Sequence, residues 1–462
     1  MTENGNTTTV ISISWWRNQQ VRAVIYQIIV LSLLLGAILL IFKNTMTNLE
    51  ERGISSGFKF LSNEAGFGMS EALPIPMPHG TFLAFIFTFM AGLVVAFLLN
   101  RMQAARGKTI GDSTFLVLTV IFFLFVIPGS ILYFMGDRIV SSTYTETSSY
   151  AMGLVTGLLN TLKVSFLGCV LATLLGLVIG ISRLSTNWLV SHLAAAFIET
   201  IRNIPLLLQL FFWYHAVLMA LPGVQDSIKL ASVVILNNRG VYLPDPEGTA
   251  SFGLFTVAIF LALVAIYFRV RHVNQIRDRT GEQLPVLMPS LAVLVGLPAL
   301  VWIIFGSPFT LSYPVLGGFN FSGGLWLSPE FAAMLFGLVI YTSAFIAEIV
   351  RSGIEAISKG QREAAMSLGL RPGHTMRLVI LPQAMRVIIP PLTSQYLNLT
   401  KNSSLGVAIA YPELVSVGGT ILNQSGQAIE IIFITMCIYL TFSLLISMFM
   451  NWYNAKNKLV ER

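Results

Sequence analysis

EAAMSLGLRPGHTMRLVILP, residues Glu363–Pro382, is a polar, basic stretch between two apolar segments, and it carries its own helix signals. Ser358 and Gln361, just ahead of it, have the spacing of a capping box. Ala364, Ala365, Met366 and Leu368 are good helix formers. Gly369 is placed to end that helix at its C′ position, and Pro372 to open a second short helix as its first residue. The pattern predicts a helix-turn-helix lying outside the bilayer, whose paired alanines would let a partner's surface come close.

Composition sets the surroundings of this loop. The chain has 462 residues, 55% hydrophobic and only 11% charged, with a mean hydropathy of +0.76. A soluble domain of that length is excluded, and membrane spans account for the balance. A formal net charge of +7 then points to positive loops facing the cytoplasm rather than to nucleic-acid binding. Cys169 and Cys437 both sit in apolar runs, which argues against a disulfide framework. The scattered histidines show no metal-ligand spacing.

Taken in order, the sequence predicts an all-α polytopic membrane protein with about ten spans. Residues 1–22 are polar and lead into an apolar run at 23–42, read as a first span rather than a cleaved signal because it is long and no clear cleavage site follows. A polar loop, 43–80, ends in Pro74, Pro76 and Pro78, which oppose a continuous helix. Runs at 81–99 and 113–135 are each long enough to cross. Further spans are expected at 157–183, 186–220, 250–268, 284–305, 330–350, 386–410 and 428–450. The segments at 186–220 and 386–410 carry polar residues and proline. With both termini inside, 19 of the 28 Lys and Arg fall on the cytoplasmic segments and 6 on the external loops, as the positive-inside rule requires. That orientation places Glu363–Pro382 in the cytoplasm.

Lys163, Arg202 and Lys401 fall within spans. A charge there costs roughly 2.5–3.5 kcal/mol on insertion scales, so it normally faces protein or a watery path. Glu199 and Arg202 stand three residues apart on one helix face, and Glu348 and Arg351 repeat the spacing. Glu199, Arg202, Glu348 and Lys401 are candidates for a polar pathway suited to a zwitterion. Structural ion pairs for the two Glu–Arg sets, and interfacial snorkelling for Arg351, are the alternatives. Lys163, near the start of its span, is expected to snorkel.

Glu-Ala-Ala, three residues, Gly369, nine residues, Val379, one more and Leu381-Pro382 resembles the EAA loop of ABC-importer permeases, where such permeases dock on their ATPase subunits. Val379 stands where that family usually has Ile. GLLNTLKVSFLGCVLATLLGLVIGISR (157–183), IETIRNIPLLLQLFFWY (198–214) and LNLTKNSSLGVAIA (397–410) resemble core spans of amino-acid permeases of that class. The resemblance covers roughly 150–220 and 330–450. It implies a type I importer permease core at 150–455, with an N-terminal extension of three spans at 1–149 and an insert at about 221–329 carrying two more. This long form most resembles permeases of general L-amino-acid transport systems of Gram-negative bacteria. The resemblance further implies Glu363, Ala364, Ala365, Gly369, Leu381 and Pro382 as the ATPase-docking loop, a second related permease or a second copy, and a periplasmic amino-acid-binding protein. It also implies an inner-membrane location.

No nucleotide site of the chain's own is expected. Gly107-Lys108-Thr109 mimics the end of a phosphate-binding loop, but Met102 occupies the first glycine position and no strand precedes it. Phe321–Leu325 only hints at an ATPase signature. ATP-Mg would therefore sit on a partner, and this chain needs no cofactor. An ion-coupled secondary amino-acid transporter is the alternative, which would need no ATPase.

Overall fold

The computed structural model describes residues 19–51, 57–72, 143–230, 233–249, 251–282 and 284–457. The spans expected at 81–99 and 113–135 lie outside the described residues. Among those described, six helices are long and apolar enough to cross a membrane, and two bent helix pairs raise the number to eight. These meet the eight remaining expected spans.

The first is α1 (Gln19–Glu51). The core starts with α2 (Tyr150–Arg183), opened by Ser149, whose side chain accepts from the Met152 amide. Next come α3 (Trp188–Asn203) and α4 (Leu206–Phe211), the latter continuing as a π-helical segment to Leu218. They meet at 104°, because Ile204 before Pro205 is extended rather than helical. Buried Gln209 donates to the carbonyls of Ile201 (2.9 Å) and Ile204 (3.0 Å), covering groups the break leaves without helical partners.

The expected insert contains α5 (Phe252–Thr280) and α6 (Leu287–Phe305), which pack on each other. The chain on either side of this helix pair, in what was expected to be an all-α protein, forms small sheets. Strands β1 (Ile228–Leu230), β2 (Val234–Asn237) and β3 (Gly240–Leu243) lie before α5, as does β4 (Asp245–Gly248). After α6 come β5 (Phe309–Ser312), β6 (Val315–Gly317), β7 (Asn320–Ser322) and β8 (Leu325–Leu327). The main sheet runs β1-β2-β3-β8, antiparallel, with Val241 opposite Leu327; β4–β5 and β6–β7 form separate pairs. Strands of three or four residues leave too short an alternation to recognise in sequence. Gly240 (φ 129°) is required where β3 meets β8: a Cβ there would lie 2.2 Å from the Leu327 carbonyl oxygen.

Then follow α7 (Pro329–Glu355), α8 (Lys359–Ser367), α9 (Pro372–Thr375), a π turn (Met376–Ile380) and α10 (Leu381–Asn402). A 3-10 segment, Ser403–Ile409, leads to α11 (Leu414–Ser425), bent by 50° from the preceding run, and α12 (Ala428–Asn457) closes the described chain. Helix α11 lies between the spans expected at 386–410 and 428–450, and it buries Leu414, Val417 and Ile421.

The densest packing is α2 on α7. A Cβ on Gly176 would come within 2.7 Å of Ile346, and one on Gly180 within 2.8 Å of the Ala347 carbonyl oxygen. Helices in lipid gain little from burying apolar surface against each other, so this backbone approach supplies the attraction through dispersion contacts. Val164, Ala172, Leu210, Phe331, Leu338 and Ile388 fill the main core. A second core joins Phe60, Tyr144 and Tyr150 to Val417, Ile421 and Ile431, so pieces on both sides of the undescribed stretch pack against α11 and α12.

Candidate docking loop and charged residues of the spans

The stretch Glu363–Pro382 folds as the helix-turn-helix expected. Helix α8 ends in a hydrogen-bonded turn. Gly369 (φ 80°) donates its amide to the Met366 carbonyl (2.9 Å), and the Leu370 amide reaches Ala365 (3.2 Å). That is the paired closure a left-handed C′ glycine allows. Pro372 opens α9.

Two local expectations fail. Ser358 is the N-cap residue, but its side chain makes no capping hydrogen bond. The Gln361 side chain instead accepts from Gln383 Nε2 (3.4 Å), tying α8 loosely to α10. The two alanines do not act as a pair either: Ala365 is buried, and Ala364 alone faces out. One residue along a helix rotates the side chain by about 100°, which separates neighbours between the core and the surface.

Glu363, Gly369, Leu381 and Pro382 are exposed. Around them lie Leu368, 83% exposed, with Met366, Leu378 and Leu381. Exposed Arg362, Arg371 and Arg377 border these apolar side chains. A contiguous apolar surface rimmed by charge is the character of a protein-docking site. Behind it, a cleft of about 490 Å³ runs between Leu184 and Arg362, Met366 and Thr375.

The charged residues of the spans separate into two groups. Glu348 is held by Arg351 in a two-point ion pair, Nη2 to Oε1 at 2.6 Å and Nε to Oε2 at 2.9 Å, and Arg351 also reaches Glu355. Glu199 and Arg202, by contrast, form no ion pair among the described residues, despite their spacing. The Arg202 guanidinium lies 5.1 Å from the centre of the Phe345 ring instead, one turn from Glu348. Both Glu199 and Arg202 are exposed, as is Lys401 on the last turn of α10. None of the three has a side-chain hydrogen bond or ion pair among the described residues.

Sequence reasoning missed a buried polar cluster. Lys163 does not snorkel; its Nζ meets Glu71 Oε2 at 2.9 Å and lies 4.0 Å from the Phe331 ring centre. The other Glu71 oxygen accepts from Ser328 Oγ (2.8 Å) and the Ser328 amide (3.2 Å), at the N-cap of α7. Asn160 Nδ2 donates to the Glu71 carbonyl (3.1 Å) and the Pro412 carbonyl (2.9 Å). Next to it, fully buried Glu413 caps α11, accepting from the amides of Val415 (2.8 Å) and Ser416 (2.7 Å). Nearby, Tyr144 donates to the Phe67 carbonyl (2.7 Å). Burial, helped by Glu146, pushes its phenol up to about 12, so it stays a donor. A lysine inside an apolar run was a visible signal. Its partner, in a loop 92 residues away, left none.

The general L-amino acid transport system permease protein AapQ of Rhizobium johnstonii is 40% identical over 441 residues, covering 96% of this chain and 93% of that protein. This chain belongs to the amino-acid permease family of binding-protein-dependent ABC importers. The family described as "Binding-protein-dependent transport system inner membrane component" matches residues 284–458 of this permease. YhdX of Escherichia coli, a putative amino-acid ABC transporter permease, is 43% identical over 447 residues, with 96% of each chain covered. BztB of Rhodobacter capsulatus, a glutamate/glutamine/aspartate/asparagine transport system permease, is 38% identical over 81% of this chain and 92% of its own.

The permease is thus an inner-membrane transport component of a system whose ATPase and binding protein are separate chains. Membership in this family does not support the ion-coupled alternative. Among the described residues, no group of three or more His, Cys, Asp or Glu is arranged to hold a metal ion.

Proposed function

We propose that this permease carries polar L-amino acids inward, acidic ones and their amides foremost, in a complex with two ATPase copies, a second related permease or a second copy of itself, and a periplasmic amino-acid-binding protein. The carrying observation is the exposed set Glu199, Arg202 and Lys401 within spans. Facing lipid, each charge would cost roughly 2.5–3.5 kcal/mol. A second permease and a water-filled path between the two relieve that cost, and both signs of charge suit a substrate bearing an ammonium and a carboxylate. Glu348, already bound by Arg351, acts on the path through the field it shares with Arg202. Similarity to AapQ, a general L-amino acid permease, and to BztB, a glutamate/glutamine/aspartate/asparagine permease, supports the substrate class.

Both termini lie in the cytoplasm in this reading, with lipid around the outer helices. The chain divides into an extension (1–149) and a permease domain (150–455) with an insert (221–329). The docking loop Glu363, Ala364, Ala365, Gly369, Leu381 and Pro382 meets an ATPase that carries ATP-Mg. Closure of the ATPases moves α8 and α9, and the spans alternate between outward- and inward-facing states. Loaded binding protein must favour one of those states for delivery to be coupled to ATP use. The test is uptake of labelled glutamate, glutamine, histidine and a sugar by the reconstituted complex. Amino-acid uptake requiring both ATP and the binding protein is the expected result; sugar uptake alone overturns the substrate class.

A further inference from the structure

The insert's helical hairpin has an uneven shape. Helix α5 has 29 residues, about 43 Å at 1.5 Å each, whereas the hydrocarbon core of a bilayer is about 30 Å thick. Its apolar part ends at Phe268, and the helix runs on through Arg269 to Thr280. Gly281 (φ 74°) ends it, and the chain turns back, so that Arg269 Nη2 reaches the Pro285 carbonyl (3.4 Å). Helix α6 starts two residues later, at Leu287, with no side chain capping its first turn. Four arginines (269, 271, 277 and 279) and His272 therefore gather at this end of the hairpin, against Asp278 and Glu282. The Arg277–Asp278 pair, at 3.6 Å, is exposed on both sides and offsets little of the charge at this end.

What flanks these charges selects their partner. Tyr267, Phe268, Leu287 and Met288 are all exposed, from 40% to 73%, at the level of Arg269. They mark the membrane edge, where acyl chains give way to headgroups. A soluble acidic protein has no access to an arginine set among lipid-facing side chains, whereas a phospholipid phosphate lies at that depth. Juxtamembrane arginines are drawn to an anionic membrane surface. Arg269 Nε and Ser290 Oγ, from the facing ends of the two helices, are buried without hydrogen-bond partners among the described residues.

We propose that this end of the α5–α6 hairpin binds anionic phospholipid, with a headgroup phosphate between Arg269 and the start of α6 and neighbouring headgroups on Arg271 and His272. The site rests on the orientation given above only in which leaflet it faces. The test uses the full complex in nanodiscs of phosphatidylcholine alone or with phosphatidylglycerol in both leaflets, so the outcome does not depend on that orientation. Phosphatidylglycerol is expected to raise the thermal unfolding midpoint of the wild type. The Arg269→Gln/Arg271→Gln variant should lose at least half of that rise while matching the wild type in phosphatidylcholine. As a readout that needs no variant, phenylglyoxal modification of Arg269 and Arg271 in the wild type, followed by mass spectrometry, should fall at least twofold with phosphatidylglycerol present. Equal protection by inorganic phosphate would mean a site for soluble anions. Protection appearing only when the ATPase or another acidic protein is added would mean a protein contact. Unchanged modification would leave these arginines solvated. Each of these three outcomes overturns the proposal.

Discussion

Lys163 and Glu71, 92 residues apart, close an ion pair at 2.9 Å against the first turn of α7. Together with Asn160, the pair joins the 57–72 segment, α2, α7 and the break before α11. Glu71 is almost wholly buried, and both its oxygens are used. Removing one partner of a buried pair strands the other charge, at about 3–5 kcal/mol. Lys163 is partly exposed, which places Glu71→Ala toward the lower end of that range. The expected result is a clear drop in the unfolding midpoint of the purified chain. The double variant Glu71→Gln/Lys163→Met should recover part of it, since no charge is left stranded. Additive losses in the double variant would refute the coupling.

The docking loop gives a second expectation. At φ 80° Gly369 tolerates no side chain without strain, and Gly369→Ala should cost about 1 kcal/mol locally. Gly369→Glu places a bulky charge in the turn itself. It should insert normally, abolish uptake and weaken co-purification of the ATPase. Normal uptake at matched expression would remove this turn from the coupling surface. Leu368→Asp, on the outermost apolar side chain, tests the same surface without altering the turn and should also loosen the ATPase.

Substrate transfer is tested at the unpaired charges. Arg202→Ala and Lys401→Ala should each lower the maximal uptake rate more than the apparent affinity, as follows if selectivity lies with a separate binding protein. Glu348→Gln leaves Arg351 with Glu355 and should have a smaller effect. If both alanine variants transport at the wild-type rate, these residues are removed from the pathway.

Orientation is read with cysteine labelling. In spheroplasts, a cysteine replacing Arg277 should resist an impermeant thiol reagent until lysis, and one replacing Asp245 should react from outside. The opposite pattern would invert the insert's hairpin.

The six unbroken spans among the described residues were legible because each is a long apolar run, and Gly369 and Pro372 marked the turn by backbone chemistry alone. The bends at Pro205 and near Ala410 were foreshadowed by the polar and proline content of those segments. The insert's strands were not, since three residues carry no usable period. The outcome at Glu199 and Arg202 was hidden for a different reason. Spacing put them on one face, but the ring of Phe345 on another helix drew the guanidinium away. Glu71 lay in a loop with nothing to connect it to Lys163, because only the folded chain brings the two together.

The Glu71 cluster also bears on the order in which the chain is made. Synthesis at about 5–20 residues per second delivers Lys163 some 5–20 s after Glu71. Ser328, 257 residues further on than Glu71, follows only after roughly 13–50 s at those rates. Pro412, which shares Asn160 with Glu71, emerges later still. Throughout that interval Glu71 lacks the partners that bury it in the finished fold. The 57–72 segment is thus made long before it can be locked down, and a chain that stops short of Ser328 leaves this carboxylate without its α7 partner. Burial of that carboxylate is complete only when α2, the start of α7 and the break before α11 have come together.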